Sequence, residues 1–370
     1  MSTLGPAVPG IRETFGLSLG EVGSLQALSA VGYLVSVFAG GVVADRLGAR
    51  PVLLTGAGGL IAGIGVFVGA SAWPLVVLGS TLLGVGCGLI DGTVNALVSE
   101  HSGTHRGADL NLTHGFFGLG AVLSPLVAGL LLTAGLGWRW LYVPGVLAAV
   151  VLFAVTWRLD LGPRRAVVAD ERPTLAVLAA PVVSLLALVL CLYVGVEMTV
   201  ATWAFSHLQA AFAAGDAIAG GATALYWGGI TLGLFVMGSI GARFSAHQLI
   251  VGNVVGTTIA LGLMVAAPSL PLAVLGLALI GLSLANIFPA AMAVAGEAYP
   301  RAVGTVMGAL IAAGGVGGAL FPWLTGVAAE RTGLGPALAG GLALLLVMLV
   351  AERAIIALER RERRARLASG

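Results

Sequence analysis

The chain has 370 residues, 58% of them apolar and 9% charged, with a mean hydropathy of +1.05. Sixteen acids and eighteen bases cannot coat a soluble protein of this length, because a soluble domain carries about 25% charged residues. A soluble enzyme, a nucleic-acid binder and a disordered scaffold are excluded, which leaves a polytopic membrane protein. The net charge of +2 rests on arginine alone, since the sequence contains no lysine.

Residues 1–10 lack a basic segment followed by an apolar one, so no cleavable signal peptide is expected. A bilayer-spanning helix needs ~20 apolar residues. Eleven such runs follow in chain order: 20–44, 51–70, 74–98, 109–134, 138–157, 176–211, 217–241, 248–267, 270–295, 303–328 and 335–356. Strands would need a closed barrel of alternating ~10-residue segments, a pattern this sequence lacks. The predicted fold class is all-α integral membrane, and the 57 glycines suit helices that approach closely in lipid. Cys87 and Cys191 lie inside apolar runs and read as small buried hydrophobes. They provide no disulfide framework and no metal cluster.

Arginine placement sets the expected orientation. One set of connections holds Arg46, Arg50, Arg106, Arg158, Arg164, Arg165, Arg172, Arg243 and Arg301, and ends with the cluster Arg360 to Arg366. The opposite set holds only Arg12, Arg139 and Arg331. The first set is read as cytoplasmic, which places the C-terminus inside. The expected domains are an N-terminal bundle at 1–157, a cytoplasmic linker at 158–175, a C-terminal six-helix bundle at 176–356 and a basic tail at 357–370. The tail would anchor orientation at anionic lipid.

Shifting the chain against itself by 197 residues reveals a repeat. Arg46 falls on Arg243, Glu100 on Glu297, Pro125 on Pro322 and Gly129 on Gly326, in one ungapped register. Two parallel repeats are the plan of a two-lobed transporter with a mid-membrane site between them. In this register Met198, inside the run 176–211, falls on Met1. Most of the first helix of the first half is therefore expected to be missing, with twelve spans in the intact plan.

The segment Gly41-Val-Val-Ala-Asp45-Arg46-Leu-Gly48-Ala-Arg50 resembles the signature loop of the major facilitator superfamily. The resemblance extends to the repeat, the linker and the polarity. It implies two pseudo-symmetric helical bundles and transport by alternating access. In that family the loop latches the two halves on the cytoplasmic side, which would make Asp45, Arg46 and Arg50 gating residues. A finer resemblance is to the sugar branch containing fucose permease and the sodium-dependent glucose transporters. It is carried by Gly84-Val-Gly86-Cys-Gly88-Leu-Ile-Asp91-Gly-Thr-Val-Asn95, by Leu110-Asn111-Leu-Thr-His114-Gly-Phe-Phe-Gly118-Leu-Gly120, and by Gly195-Val-Glu197 with Trp203.

Ionisable side chains within a bilayer cost ~2.5–3.5 kcal/mol at a helix centre on insertion scales, so Asp91, His114 and Glu197 are candidate functional groups. Asp91 and Asn95 share a helical face, as do Asn111 and His114. Asp91 and Glu197 are the candidates for coupling to a proton or sodium gradient, the alternative being hydrogen-bonded packing. A sugar also needs donors, acceptors and a flat apolar wall. Asn95, Asn111, His114, Gln209 and Asn286 could supply the first two, with Trp203, Tyr226 and Trp227 as walls. Pro289, three residues after Asn286, could bend its helix. His207 reads as a packing residue. Trp73, Trp138 and Trp140 lie at loop edges and read as interfacial belt residues.

No phosphate-binding loop with its lysine is present, so no ATPase activity and no cofactor are expected. The leading expectation is a monomeric inner-membrane secondary transporter, not an enzyme, moving a small polar solute, a sugar above all. A proton-antiport exporter of drugs or metabolites is the second reading. Its motif is only partly matched at Gly120-Ala-Val-Leu-Ser124-Pro125-Leu-Val-Ala128-Gly129, where Ser124 and Ala128 replace expected glycines. A non-transporting truncated paralogue is the third.

Overall fold

The computed structural model describes residues 2–101, 106–159, 161, 175–240, 243–300 and 302–369. At 41, 45, 99–101, 106–111, 114, 175, 237–240, 362, 363 and 365–369 it describes the backbone alone. The chain forms helices α1 (Leu4–Phe15), α2 (Leu19–Leu47), α3 (Ala49–Val68), α4 (Trp73–His101), α5 (Arg106–Thr133) and α6 (Val143–Arg158), then α7 (Pro181–Phe212), α8 (Asp216–Ile240), α9 (Ala246–Val265), α10 (Leu270–Leu284), α11 (Ile287–Ala298), α12 (Val303–Thr332) and α13 (Leu334–Ser369). Among the described residues there is no strand, and eleven segments are long and apolar enough to cross a membrane. Helices α10 and α11 together make one of them, and α1 is too short to count.

The helix boundaries repeat at the same interval as the sequence. Adding 197 to both ends of α3 gives both ends of α9; the start of α2 maps to that of α8, and the limits of α4 map to the start of α10 and the end of α11. Local chemistry closes the individual helix ends, by different means at the starts of α2 and α9 than at their repeat equivalents. Ser18 with Glu21, and Ser245 with Gln248, form capping boxes that satisfy the first amides of α2 and α9. Gly16 and Ala213 close α1 and α7 with left-handed caps, at φ 65° and 50°. A non-glycine residue rarely takes that conformation; in the second half local hydrogen bonds hold the turn, from the cap amides back to the Gln209 and Leu208 carbonyls and from the Gln209 side chain to Asp216.

Two boundaries differ from the sequence reading. The run 176–211 is not one helix: a short 3-10 turn at Leu175–Ala179 precedes α7, which starts at Pro181. Proline fits the first helical position because its missing N–H has no intrahelical partner there. The run 270–295 is interrupted between Leu284 and Ile287. Pro289 has no N–H to offer the carbonyl of Ala285, four residues earlier. Helix α13 continues unbroken to Ser369, through the segment expected to be a tail.

The halves meet along two antiparallel helix pairs, α2 with α12 and α5 with α8. Both pairs are tightest at the ends remote from the Arg-rich connections. A Cβ added to Gly129 would lie 2.6 Å from the Asp216 carbonyl oxygen, and one added to Gly326 would lie 2.6 Å from that of Leu19. Only glycine permits these approaches. The contacts continue to Leu34 beside Gly315 and to Gly118 beside Thr231. Beyond them, Phe38, Val42 and Leu47 on α2, Phe116 and Phe117 on α5, and Leu232 and Phe235 on α8 are each more than half exposed. Nearer the Arg-rich end, a Cβ added to Gly115 of α5 or to Gly304 or Gly308 of α12 would meet nothing within 4 Å, so the halves are closed at the Arg-poor end and part toward the Arg-rich end.

Candidate functional site

The N-terminal half holds one carboxylate deep within a span. Asp91 lies ten residues before the end of α4, ~15 Å along the axis. Its Oδ2 accepts from the Tyr33 hydroxyl of α2 at 2.5 Å, and its Oδ1 accepts from the Asn95 amide, one turn on, at 2.9 Å. The Asp91–Asn95 pair follows from the i, i+4 geometry of a helix. Tyr33 reaches it because α2 and α4 pack through Gly32, Gly84 and Gly88, at whose positions a side chain would collide with the facing helix. Asp91 itself stays partly exposed, while Asn95 Oδ1 is buried without a partner among the described residues. The arrangement thus has an acceptor-rich carboxylate and a spare amide oxygen side by side.

The second carboxylate, Glu197, lies near the centre of the 32-residue α7. The Tyr193 hydroxyl bonds to its side chain, and Tyr226 of α8 donates to its backbone carbonyl at 2.9 Å. Tyr226 is fully enclosed and meets Trp227 edge to face. The Trp227 indole N–H is buried with no partner among the described residues. Gln26 of α2 approaches Met198, next to Glu197, which ties this region to the first half.

The other expected site residues are dispersed. Trp203 is enclosed rather than facing a cavity: its ring edge lies against Gly23 and Gly326, and its N–H donates to the Pro322 carbonyl at 2.9 Å. Gln209 bonds Asp216 across the α7–α8 turn at 2.7 Å, at the Arg-poor end. Asn286 sits at the α10–α11 break and donates to the Gly233 carbonyl at 3.0 Å, anchoring that break to α8. His207 is buried against Phe212 with Nε2 unpartnered among the described residues. The side chains of Asn111, His114 and Asp45 lie outside the described residues. Arg46 is exposed, and Arg50 donates to the Trp157 carbonyl at the end of α6, within its own half.

Trp138 requires a correction. It is not an interfacial belt residue but is 3% exposed, packed edge-on to Phe67 and donating to Thr14. Arg139 stacks on its ring and bonds the carbonyls at the end of α3, which fixes this corner. Trp140, by contrast, is 56% exposed. Tyr33 and Tyr193 are the site residues that the sequence reading missed. Tyr193 lies one turn from Glu197 and could have been found from that spacing.

The duplicated helices, the signature loop and the paired carboxylates all point one way. The sequence pattern described as Major Facilitator Superfamily matches residues 1–211 and 185–369, one match for each half. The chain belongs to the Major Facilitator Superfamily. This facilitator is thus a multi-pass membrane protein of a family of transporters, not enzymes. It is 22% identical over 371 residues to Bypass of stop codon protein 6 of Saccharomyces cerevisiae, covering 90% of this chain and 74% of that one. It is 23% identical to Sodium-dependent glucose transporter 1 of Danio rerio, covering 88% of this chain. The chain spans only 61% of that relative's length. The facilitator's fold matches the crystal structure of a bacterial homologue of the human lysosomal transporter Spinster, at a TM-score of 0.77 and 16% identity. That match covers 96% of this chain and 94% of the other.

Proposed function

We propose that this facilitator carries a small polar solute, a sugar above all, by alternating access coupled to a proton or sodium gradient. The observation that carries the reading is the Tyr33–Asp91–Asn95 group: a partly exposed carboxylate at mid-membrane depth whose two donors leave acceptor capacity for a hydroxyl or a cation. Glu197 with Tyr193 provides a second such group in the other half. Asn95, Asn111, His114, Gln209 and Asn286 are proposed as solute ligands, and Trp203 and Trp227 as apolar walls. For Trp203, Gln209 and Asn286, whose polar groups are engaged in the present arrangement, that role requires the other state of the transport cycle. The similarity to a glucose transporter along most of the chain supports the solute class.

The Arg-rich connections support a cytoplasmic C-terminus. With that orientation, a molecule closed at the Arg-poor end and parted at the other is inward-open. We divide it into bundles at 1–157 and 176–356, with 158–175 as linker and 357–370 as a basic segment at anionic lipid. The working unit is proposed to be the monomer, with the Asp45–Arg46–Arg50 loop as the cytoplasmic latch.

The test is uptake of a panel of labelled sugars into liposomes, with proton, sodium or no gradient. Gradient-dependent accumulation of one sugar is expected in the wild type and none in Asp91→Asn. Wild-type accumulation by Asp91→Asn would remove Asp91 from the coupling role, and no sugar flux under any gradient would overturn the solute class.

A further inference from the structure

A third ionisable group stands outside the transport path. His247 occupies the first turn of α9, and both of its ring nitrogens face carboxylates of α13. Nδ1 lies 2.6 Å from Glu352 Oε1, and Nε2 lies 2.8 Å from Glu359 Oε2. Glu352 is completely buried, and its Oε2 has no partner among the described residues. Helix α9 packs on α10, α11 and α13, and α13 on α7, α9 and α12. The cluster is thus internal to the C-terminal half, away from the helix pairs that join the halves.

Proton counting limits what this geometry can be. A neutral imidazole has one N–H and one bare nitrogen, and an ionised carboxylate only accepts. Two carboxylates on two ring nitrogens therefore require one proton more than a neutral ring with two ionised acids. Without it, a lone pair faces an oxygen lone pair, and the buried Glu352 charge loses its counter-charge. An imidazolium in a helix's first turn is disfavoured by the helix dipole, so the flanking carboxylates offset that as well. Other charged groups nearby do not substitute. Helix α10 has no ionisable residue. Glu297 at the end of α11, Arg243 before α9, and Arg353 and Arg360 on α13 are exposed. Among the described residues, Glu352 and Glu359 are the carboxylates in contact with the ring.

We propose that His247, Glu352 and Glu359 form a proton-binding site that fastens the helical extension of α13 to the start of α9. The bound proton sits on the ring between the two acids. Its loss frees the extension, which carries Arg360, Arg361 and Arg364 on its described side chains. The site is separate from the coupling carboxylates, so it stands or falls independently of the transport reading.

The experiment uses the full chain in lipid nanodiscs with 15N-labelled histidine. There are five histidines, and His247→Gln assigns the signal of interest. Spin labels at positions 243 and 364 report the α9–α13 distance in parallel. At mildly acidic pH we expect both nitrogens of His247 to carry protons and the label distance to be short. As pH rises, loss of one ring proton and lengthening of the distance should coincide, with the bound-to-released ratio changing up to tenfold per pH unit. In His247→Gln and in Glu352→Gln the distance should no longer respond to pH. A distance that is constant in wild type while the ring titrates would overturn the proposal, as would an unchanged pH response in His247→Gln. The wild-type arm decides the matter even if a variant fails to fold.

Discussion

Glu330, near the end of α12, accepts a hydrogen bond from the Gly20 backbone amide at 2.8 Å and so joins the two halves at their Arg-poor ends. Gly20 lies in the first turn of α2, where amides lack intrahelical partners and the helix dipole favours an anion. Ser18 adds its hydroxyl to the same carboxylate. Such a contact exists only while the Arg-poor ends are closed. It therefore stabilises one of the two states between which alternating access must move.

Glu330→Gln should shift the balance toward the state open at the Arg-poor end, on the order of a few-fold in the ratio of the two states. The glutamine keeps the size but loses the charge that the helix terminus favours. Spin-label distances across the Arg-poor ends of α2 and α12 would report the shift. Distributions identical to wild type would show that the contact follows closure without contributing to it.

The loop at the opposite end should act in the reverse sense. Asp45→Ala should retain or deepen the state open at the Arg-rich end and slow turnover, if the proposed latch forms only in the other state. Distances between the Arg-rich ends of the two halves, measured with saturating solute, would test it. A variant that closes as readily as wild type would reduce the loop to a topology signal.

Gly129→Val should block closure at the Arg-poor end. The new side chain would start 2.6 Å from the Asp216 backbone, where neither helix can yield without separating. Transport should fall to background while the protein is still made and inserted. Uptake near the wild-type rate would show that α5 and α8 can close by another route.

Tyr33→Phe distinguishes a ligand-binding Asp91 from a packed one. It removes one donor to the carboxylate and keeps the ring. Solute affinity or ion dependence should change while insertion and stability stay near normal. If solute affinity and ion dependence both match wild type, the Tyr33–Asp91 bond is structural packing.

Trp203→Ala should cost ~3–5 kcal/mol in stability, the usual range for emptying a buried aromatic site. Trp203→Phe should cost less, with about 1 kcal/mol of it from the lost bond to the Pro322 carbonyl. Thermal unfolding in detergent gives both values. A destabilisation near zero for the alanine variant would mean that the ring is not the wedge its burial implies.

The spans, the repeat and the two carboxylates within spans were legible from the amino-acid order alone. Each depends on spacing along one helix or on an interval between two. Hydropathy must run for ~20 residues to cross a bilayer, a duplicated chain must keep its register, and Asp91 and Asn95 must share a face at four residues' separation. The tertiary structure decided what each side chain touches. Tyr33 reaches Asp91 across 58 residues of sequence because glycines let α2 and α4 approach, and Trp203 is enclosed because Gly23 and Gly326 make room for it. His247 meets Glu352 across 105 residues because α9 and α13 pack together. Trp138 looked interfacial from its place at a loop edge, yet α1 and α3 cover it. Helix periodicity is a local rule, whereas these contacts depend on which helix comes to lie beside which, and in this chain glycine-lined interfaces set that for α2, α4, α5, α8 and α12.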